Sequence, residues 1–292
     1  DYALVRSLWL ESPRGCQNSL AVLRPVARAA AAGGVHDEAR DLLRKAIVRQ
    51  ASRSRQLRAR LGQIKRMAVA KLPRRIAQDA SFEARAAVAL GDLNREFDEL
   101  GVRSFLMSGT LLGFIRDSQF ISWDKDIDLG ILTSEVDVAT VERAFERSPQ
   151  FEVRRLDFNT DRLRVNHVNG VMIDIFPHYE GEDGRIWHDG TATRWWNTPF
   201  GLKPVEFLGR PQLVPDPPEK YLDENYGNWR VPDPNFDARM DTPNVEITDQ
   251  AYFDTLLYFS LLDAIGKGND VKRARYIELL RGLGEGDWLD RL

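Results

Sequence analysis

Cysteine is nearly missing from this sequence: Cys16 stands alone among 292 residues. One thiol cannot build an internal disulfide framework, and no Cys/His grouping has the spacing of a zinc site. A lone thiol agrees with a reducing, cytoplasmic setting. Long apolar runs are missing too. No stretch of about 18 apolar residues occurs, so no segment is read as crossing a membrane. The chain opens at Asp1 with neither a methionine nor a signal-like segment, as a piece of a longer protein would. No internal repeat is discernible. Disorder is excluded by composition: 43% hydrophobic, 10% aromatic and 29% charged residues are near globular averages. At this length the chain can form one large domain or two ordinary ones around a real core.

Charge is scarce in net terms, −3, but unevenly spread. Residues 1–80 hold 17 Lys and Arg against 6 Asp and Glu, while the remainder is acidic by 14. Two charge regimes predict two regions: a basic helical one over 1–80, and a catalytic one over 81–292. Ala, Leu, Arg, Gln and Glu dominate the first hundred residues, with apolar positions three and four apart, as in Leu57, Leu61 and Ile64. Ala32-Gly33-Gly34 breaks the first helical stretch, Asp37-Glu38 opens the next, and Pro73 ends or kinks the basic run. Residues 81–100 form an amphipathic helix stopped by Gly101.

Beyond 102 the pattern turns mixed. Strands are predicted over 102–107, 127–132, 151–156, 162–168 and 171–176, with helices over 110–116 and 135–147. Asn169-Gly170 signals a hairpin between the last two strands. Residues 177–247, rich in Pro, Gly, Trp and Asp, read as irregular surface structure, and helices close the chain at 249–265 and 270–282. The mixture predicts a compact α+β catalytic domain.

The chemistry concentrates in Asp124-Lys-Asp-Ile-Asp128. In a strand, alternate residues share a face, so Asp124, Asp126 and Asp128 converge while Ile127 and Leu129 turn to the core. Like charges on one face repel, and a divalent cation removes the conflict; an oxygen-rich set suits Mg2+ or Mn2+. Asp174, a charge inside the apolar run Val171–Phe176, needs a cation, a hydrogen-bond network or solvent. It is expected either to complete the metal cluster or to act as base on an incoming hydroxyl. Gly109 and Thr110, between a strand and a helix start, are candidate phosphate contacts, and Arg116 a candidate phosphate partner. Plain structural roles compete: a solvated edge strand for the aspartates, packing for the glycines, a surface ion pair for Arg116. His167 and His178 flank the Asp174 strand, and Trp195 and Trp196 could stack on a base or sugar, although packing roles are commoner for both residue types.

Together these residues resemble the LicD/fukutin family of the nucleotidyltransferase superfamily. The resemblance lies in GTLLGFIRDSQFISWDKDIDLGI at 109–131 and MIDIFP at 172–177, and more loosely in Val214-Pro215, Tyr221-Leu222 and Tyr226-Gly227. It covers residues 81 to 240. It implies a nucleotidyltransferase-like mixed sheet with flanking helices, preceded here by the helical N-terminal region. It also implies a metal on Asp126 and Asp128, with Asp124 as the preceding acidic residue and Asp174 as the later carboxylate. The activity implied is transfer of a phosphorylated group (choline, ribitol or glycerol phosphate) from a CDP-activated donor to a glycan, as in cell-surface polysaccharide or capsule synthesis. Lys125 and Ser122 stand where many members have Asp and Pro; alternation turns Lys125 away from the carboxylates. The cysteine-bound zinc of the fukutin-related branch cannot form with one cysteine. Two rivals remain at this level: a nucleotidyltransferase using an NTP on a small molecule, RNA or protein, and a non-catalytic glycan- or membrane-associated scaffold. The basic segment 40–75 could lie on the inner membrane face, grip an anionic polymer, or pack against acidic parts of the chain; no recognition motif supports nucleic acid.

Overall fold

The computed structural model describes residues 1–67, 80–121, 124–154 and 160–292. Pro73, Ser122, Leu156 and residues 68–75 of the basic segment lie outside them, as do the side chains of Leu61 and Ile64. Helices α1 (Tyr2–Glu11), α2 (Arg14–Gln17), α3 (Leu20–Ala32), α4 (His36–Met67) and α5 (Ala80–Leu100) come first. Then follow β1 (Ser104–Leu106), α6 (Ser108–Asp117), β2 (Asp126–Leu132), α7 (Val138–Arg147), β3 (Phe151–Arg154), β4 (Leu163–His167) and β5 (Met172–Glu180). The chain continues through β6 (Ile186–Gly190), β7 (Thr193–Asn197), β8 (Gly201–Phe207), β9 (Arg210–Asp216), α8 (Pro218–Tyr226) and β10 (Val245–Ile247). Helices α9 (Gln250–Lys267) and α10 (Asp270–Gly282) lead to a terminal 3-10 turn.

These elements form two compact units, divided otherwise than at residue 80 alone. The first joins α1–α4 to residues 249–292; the second runs from α5 to Thr248. The closing helices, expected within the catalytic region, instead pack with α4. The reason lies in their faces. Tyr252, Phe253, Leu256, Leu257, Leu261 and Ile265 of α9 are buried, and α4 offers Leu43, Ala46 and Ile47, also buried. Arg44 fixes the register by donating to Glu285 through Nε at 2.9 Å, while Tyr258 and Trp288 donate to the same carboxylate at 2.6 Å each. Arg40 donates to the Ala251 carbonyl and to Thr255, and Arg55 to the Arg291 carbonyl. Three basic residues of α4, Arg40, Arg44 and Arg55, are thus engaged within this unit. Among the described residues no helix is long and apolar enough to cross a membrane.

The second unit is built on an eight-stranded mixed sheet. Its order is β1-β2-β5-β6-β7-β10, with β4 also pairing β5 and β3 pairing β4. Strands β2 and β5 run parallel, and their neighbours antiparallel. Alternation in β2 behaves as the residues dictate: Ile127, Leu129 and Ile131 are fully buried in the core with Ile173 and Ile175 of β5, Leu90, Leu93 and Phe97 of α5, and Val141 and Phe145 of α7. The Asn169-Gly170 turn forms as expected, with Gly170 at φ 85° and the Asn169 side chain accepting from Val171 N–H. The reading of 177–247 as irregular is corrected: β6 to β10 and α8 lie there. Pro204, Pro211 and Pro215 are tolerated because β8 and β9 form a two-stranded sheet, in which each strand is an edge.

Candidate active site

Four strands line up one row of charge. In the parallel pairing Asp128 of β2 faces Asp174 of β5, and Asp174 faces Arg164 of β4, which in turn faces Arg154 of β3. Asp126 is two residues before Asp128, so it joins the same face. Carboxylate oxygens of Asp126, Asp128 and Asp174 all come within 4.8 Å of one another.

Asp128 is fixed by the joint between β1 and α6. Its carboxylate accepts from Gly109 N–H at 3.1 Å, its N–H donates to Thr110 Oγ1 at 2.9 Å, and its carbonyl accepts from Met107 N–H at 3.2 Å. A Cβ on Gly109 would sit 2.3 Å from Asp124 Oδ2 and 3.4 Å from Asp128 Oδ2, so the glycine is what lets both acids approach the helix start. Asp124, half-buried, hydrogen-bonds with Asp126. Burial, then Asp126, pushes the Asp124 carboxyl up; burial, then Asp126, Asp124 and Asp174, raises Asp128 well above the usual carboxylate range. Such crowding calls for a counter-charge. The donor set is all oxygen, which fits magnesium or manganese, and Asp126, Asp128 and Asp174 are the residues that could hold it, with Asp124 beside them.

The residues expected to contact the donor have partners within the chain. Gly109 N–H and Thr110 Oγ1 are both engaged by Asp128. Arg116, in the last turn of α6, donates through Nε and Nη2 to Asp117 at 3.0 and 2.9 Å, and through Nη1 to the Trp229 carbonyl at 3.4 Å. Lys125 does point away, with Nζ 5.1 Å from the centre of the Phe82 ring. His167 donates through Nε2 to Asp92 and His178 through Nδ1 to the Phe176 carbonyl, both buried in packing roles. Trp195 donates to Thr242 and stacks on His188, and Trp196 donates to Glu246.

Sequence reasoning missed two arginines. Arg164 donates to both Asp174 oxygens at 2.6 Å, and Arg162 Nη1 lies 3.3 Å from Asp174 Oδ2. Counting back from the Asn169-Gly170 turn would have set Arg164 opposite Asp174. Two phenols of α8, noted in the sequence only for the looser resemblance, come within reach of the charge of Asp128. Tyr221 is buried with its hydroxyl unpartnered, and Tyr226 bonds Ser108; burial, then the charge of Asp128, raises both.

Comparison with known proteins falls on the same residues. Residues 101–216 match the family described as LicD/FKTN/FKRP, nucleotidyltransferase domain. A ribitol-5-phosphate transferase FKTN of Mus musculus is 30% identical over 174 residues, covering 56% of this chain and 37% of that protein. A ribitol 5-phosphate transferase FKRP of Homo sapiens is 25% identical over 148 residues, covering 47% of this chain and 30% of that protein. The chain thus spans about a third of the length of these curated relatives. Among solved structures, the lincomycin-bound lincosamide antibiotic adenylyltransferase LnuA is 16% identical with a TM-score of 0.34, over 46% of this chain and 82% of that one. The matched residues, 101–216, hold the whole carboxylate cluster, so it is this part of the chain that is similar to the LicD/FKTN/FKRP nucleotidyltransferase domain.

Proposed function

We propose that this protein is a metal-dependent phosphotransferase that moves a phosphorylated alditol or choline group from a CDP-activated donor to a glycan acceptor. The observation that carries the reading is the convergence of Asp126, Asp128 and Asp174 within 4.8 Å, on adjacent parallel strands and next to a pair of arginines. The names of the relatives support ribitol phosphate as the first donor to try.

A magnesium or manganese ion bound by Asp126, Asp128 and Asp174 would neutralise charge on the donor phosphates and on the departing nucleotide. The chain's own residues supply positioning. Asp128 is clamped by Gly109, Thr110 and Met107, so its carboxylate needs little reorganisation. Asp174, first considered as a base, has both oxygens engaged by Arg164 and a second guanidinium beside it. With both oxygens already accepting from guanidinium groups, Asp174 is placed to serve as a ligand and orienting group. In the reaction the acceptor oxygen bonds to the β-phosphorus, the bond from that phosphorus to the bridging oxygen breaks, and CMP departs. The acceptor's proton passes to a cluster carboxylate or to water.

The reading is tested by incubating the protein with magnesium or manganese and, separately, CDP-ribitol, CDP-glycerol, CDP-choline and NTPs, with a glycan acceptor present. Metal-dependent CMP release from a CDP donor is expected. Pyrophosphate release from an NTP, with no CMP from any CDP donor, would replace this reading with nucleotidyl transfer.

A further inference from the structure

Asp174 has more positive charge around it than one carboxylate needs. The bidentate pair with Arg164 balances it in the strongest geometry open to these groups. Arg162, just before β4, then brings a second guanidinium to the same acid. Only 19% of its side chain is exposed, its carbon Cζ stands 5.3 Å from the centre of the Phe176 ring, and its Nε is buried without a hydrogen-bond partner. Leaving a buried donor unsatisfied is costly, the more so when it is charged. Arg162 is also close enough to Asp126 and Asp128 for their charges to act on it, which puts it beside the carboxylate cluster. A cation held in that place, with an unused N–H and a rigid planar fork, matches the tetrahedral oxygens of a phosphate far better than a neutral ligand.

We propose that Arg162 binds the diphosphate of the activated donor, taking a phosphate oxygen on its Nε–H edge while Arg164 remains on Asp174. The assignment rests on the reading of this site as one that accepts a phosphorylated donor. It makes Arg162 a substrate-binding residue, and Arg164 a positioning residue that acts through Asp174.

The test is the affinity of Arg162→Met and Arg162→Lys for CDP, inorganic pyrophosphate and cytidine, measured calorimetrically with manganese present. Manganese affinity and thermal unfolding are recorded for each variant. Loss of a charge-assisted hydrogen bond should weaken CDP and pyrophosphate by about 10-fold or more in Arg162→Met. Cytidine affinity should stay unchanged, and Arg162→Lys, which keeps the charge but not the fork, should recover part of the loss. If Arg162 served only to neutralise Asp174, its removal would change manganese affinity and leave the CDP-to-cytidine ratio intact, and that result would overturn the assignment. So would a wild type that binds neither CDP nor pyrophosphate. Should Arg162→Met fail to unfold cooperatively, the Arg162→Lys variant decides by the same ratio. CMP release by the wild type is scored separately: its absence, with diphosphate binding that depends on Arg162, would overturn the transfer reaction and leave Arg162 as the anion contact.

Discussion

At the scale of single residues, Asp124, Asp126, Asp128 and Asp174 crowd together, and burial with mutual repulsion raises Asp124 and Asp128. Asp128 has a charge raised in energy by burial and by three neighbouring aspartates, and one amide bond from Gly109 does not offset it. Asp128→Asn keeps the acceptor for Gly109 N–H while removing a charge. Its melting temperature without metal should equal or exceed that of the wild type, and the rise seen with manganese should vanish. Full metal stabilisation in this variant, read by calorimetry, would contradict the assignment. His178 gives a separate, acid-side prediction. Burial holds it down at about 4 against an ordinary 6.5, with its Nδ1–H on the Phe176 carbonyl and its ring against His188 and Phe105. Between those pH values the unfolded chain binds a proton that the folded chain refuses, so stability present above 6.5 is lost as pH falls towards 4. The slope is about 1.4 kcal/mol per pH unit for each histidine kept neutral. Urea unfolding across that range should give a shallower slope in His178→Phe than in the wild type. Much of this level was legible: Asp126, Asp128 and Asp174 were identified by alternation and by a charge stranded in an apolar run. Arg162 and Arg164 were not, because an arginine in a strand looks like any solvated face until the strand opposite is known.

At the scale of elements, α6 shows how two glycines four residues apart do different work. A Cβ on Gly113 would lie 2.5 Å from the Gln119 carbonyl oxygen and 2.9 Å from Ile121 N, both backbone atoms that cannot yield cheaply. A Cβ on Gly109 would meet only the carboxylate ends of Asp124 and Asp128 within 3.4 Å, and side-chain ends can move. Gly113→Ala should therefore cost about 1–3 kcal/mol of stability. Gly109→Ala should melt near the wild-type temperature but lose manganese affinity, because its carboxylates are displaced. Equal melting temperatures for the two variants would contradict this account. The strands at the centre of the second unit could be read because apolar and charged residues alternate in β2 and because Asn169-Gly170 fixes the hairpin. The stretch after β5 could not. Trp195 and Trp196 sit side by side and disguise the period of two, although in β7 one caps His188 and the other meets Arg185 at 4.4 Å. The prolines of β8 and β9 argued against strands because the sequence does not announce that both are edges.

At the scale of the whole molecule, the change of charge near residue 80 falls close to the first crossing between the two units, yet it could not reveal that the chain returns. Helix α9 is apolar around much of its surface, and such a helix needs partners on several sides. Its partner α4 lies some two hundred residues earlier, a pairing that no local pattern encodes. A chain lacking residues 1–67 but keeping 249–292 should therefore aggregate, with the buried face of α9 uncovered. A chain lacking both should stay folded and keep its manganese-induced stabilisation. Size-exclusion chromatography with thermal melting checks both, and a monodisperse first truncation would contradict the division. The central claim concerns the site itself, and CMP release addresses it most directly. Wild type and Asp128→Asn are compared with CDP-ribitol and acceptor, with manganese and with chelator. CMP should appear from the wild type only when metal is present, and fall by at least about 100-fold in the variant, as expected when a group stabilising transition-state charge is removed. Equal release by the two proteins, or release undiminished by chelator, would contradict this.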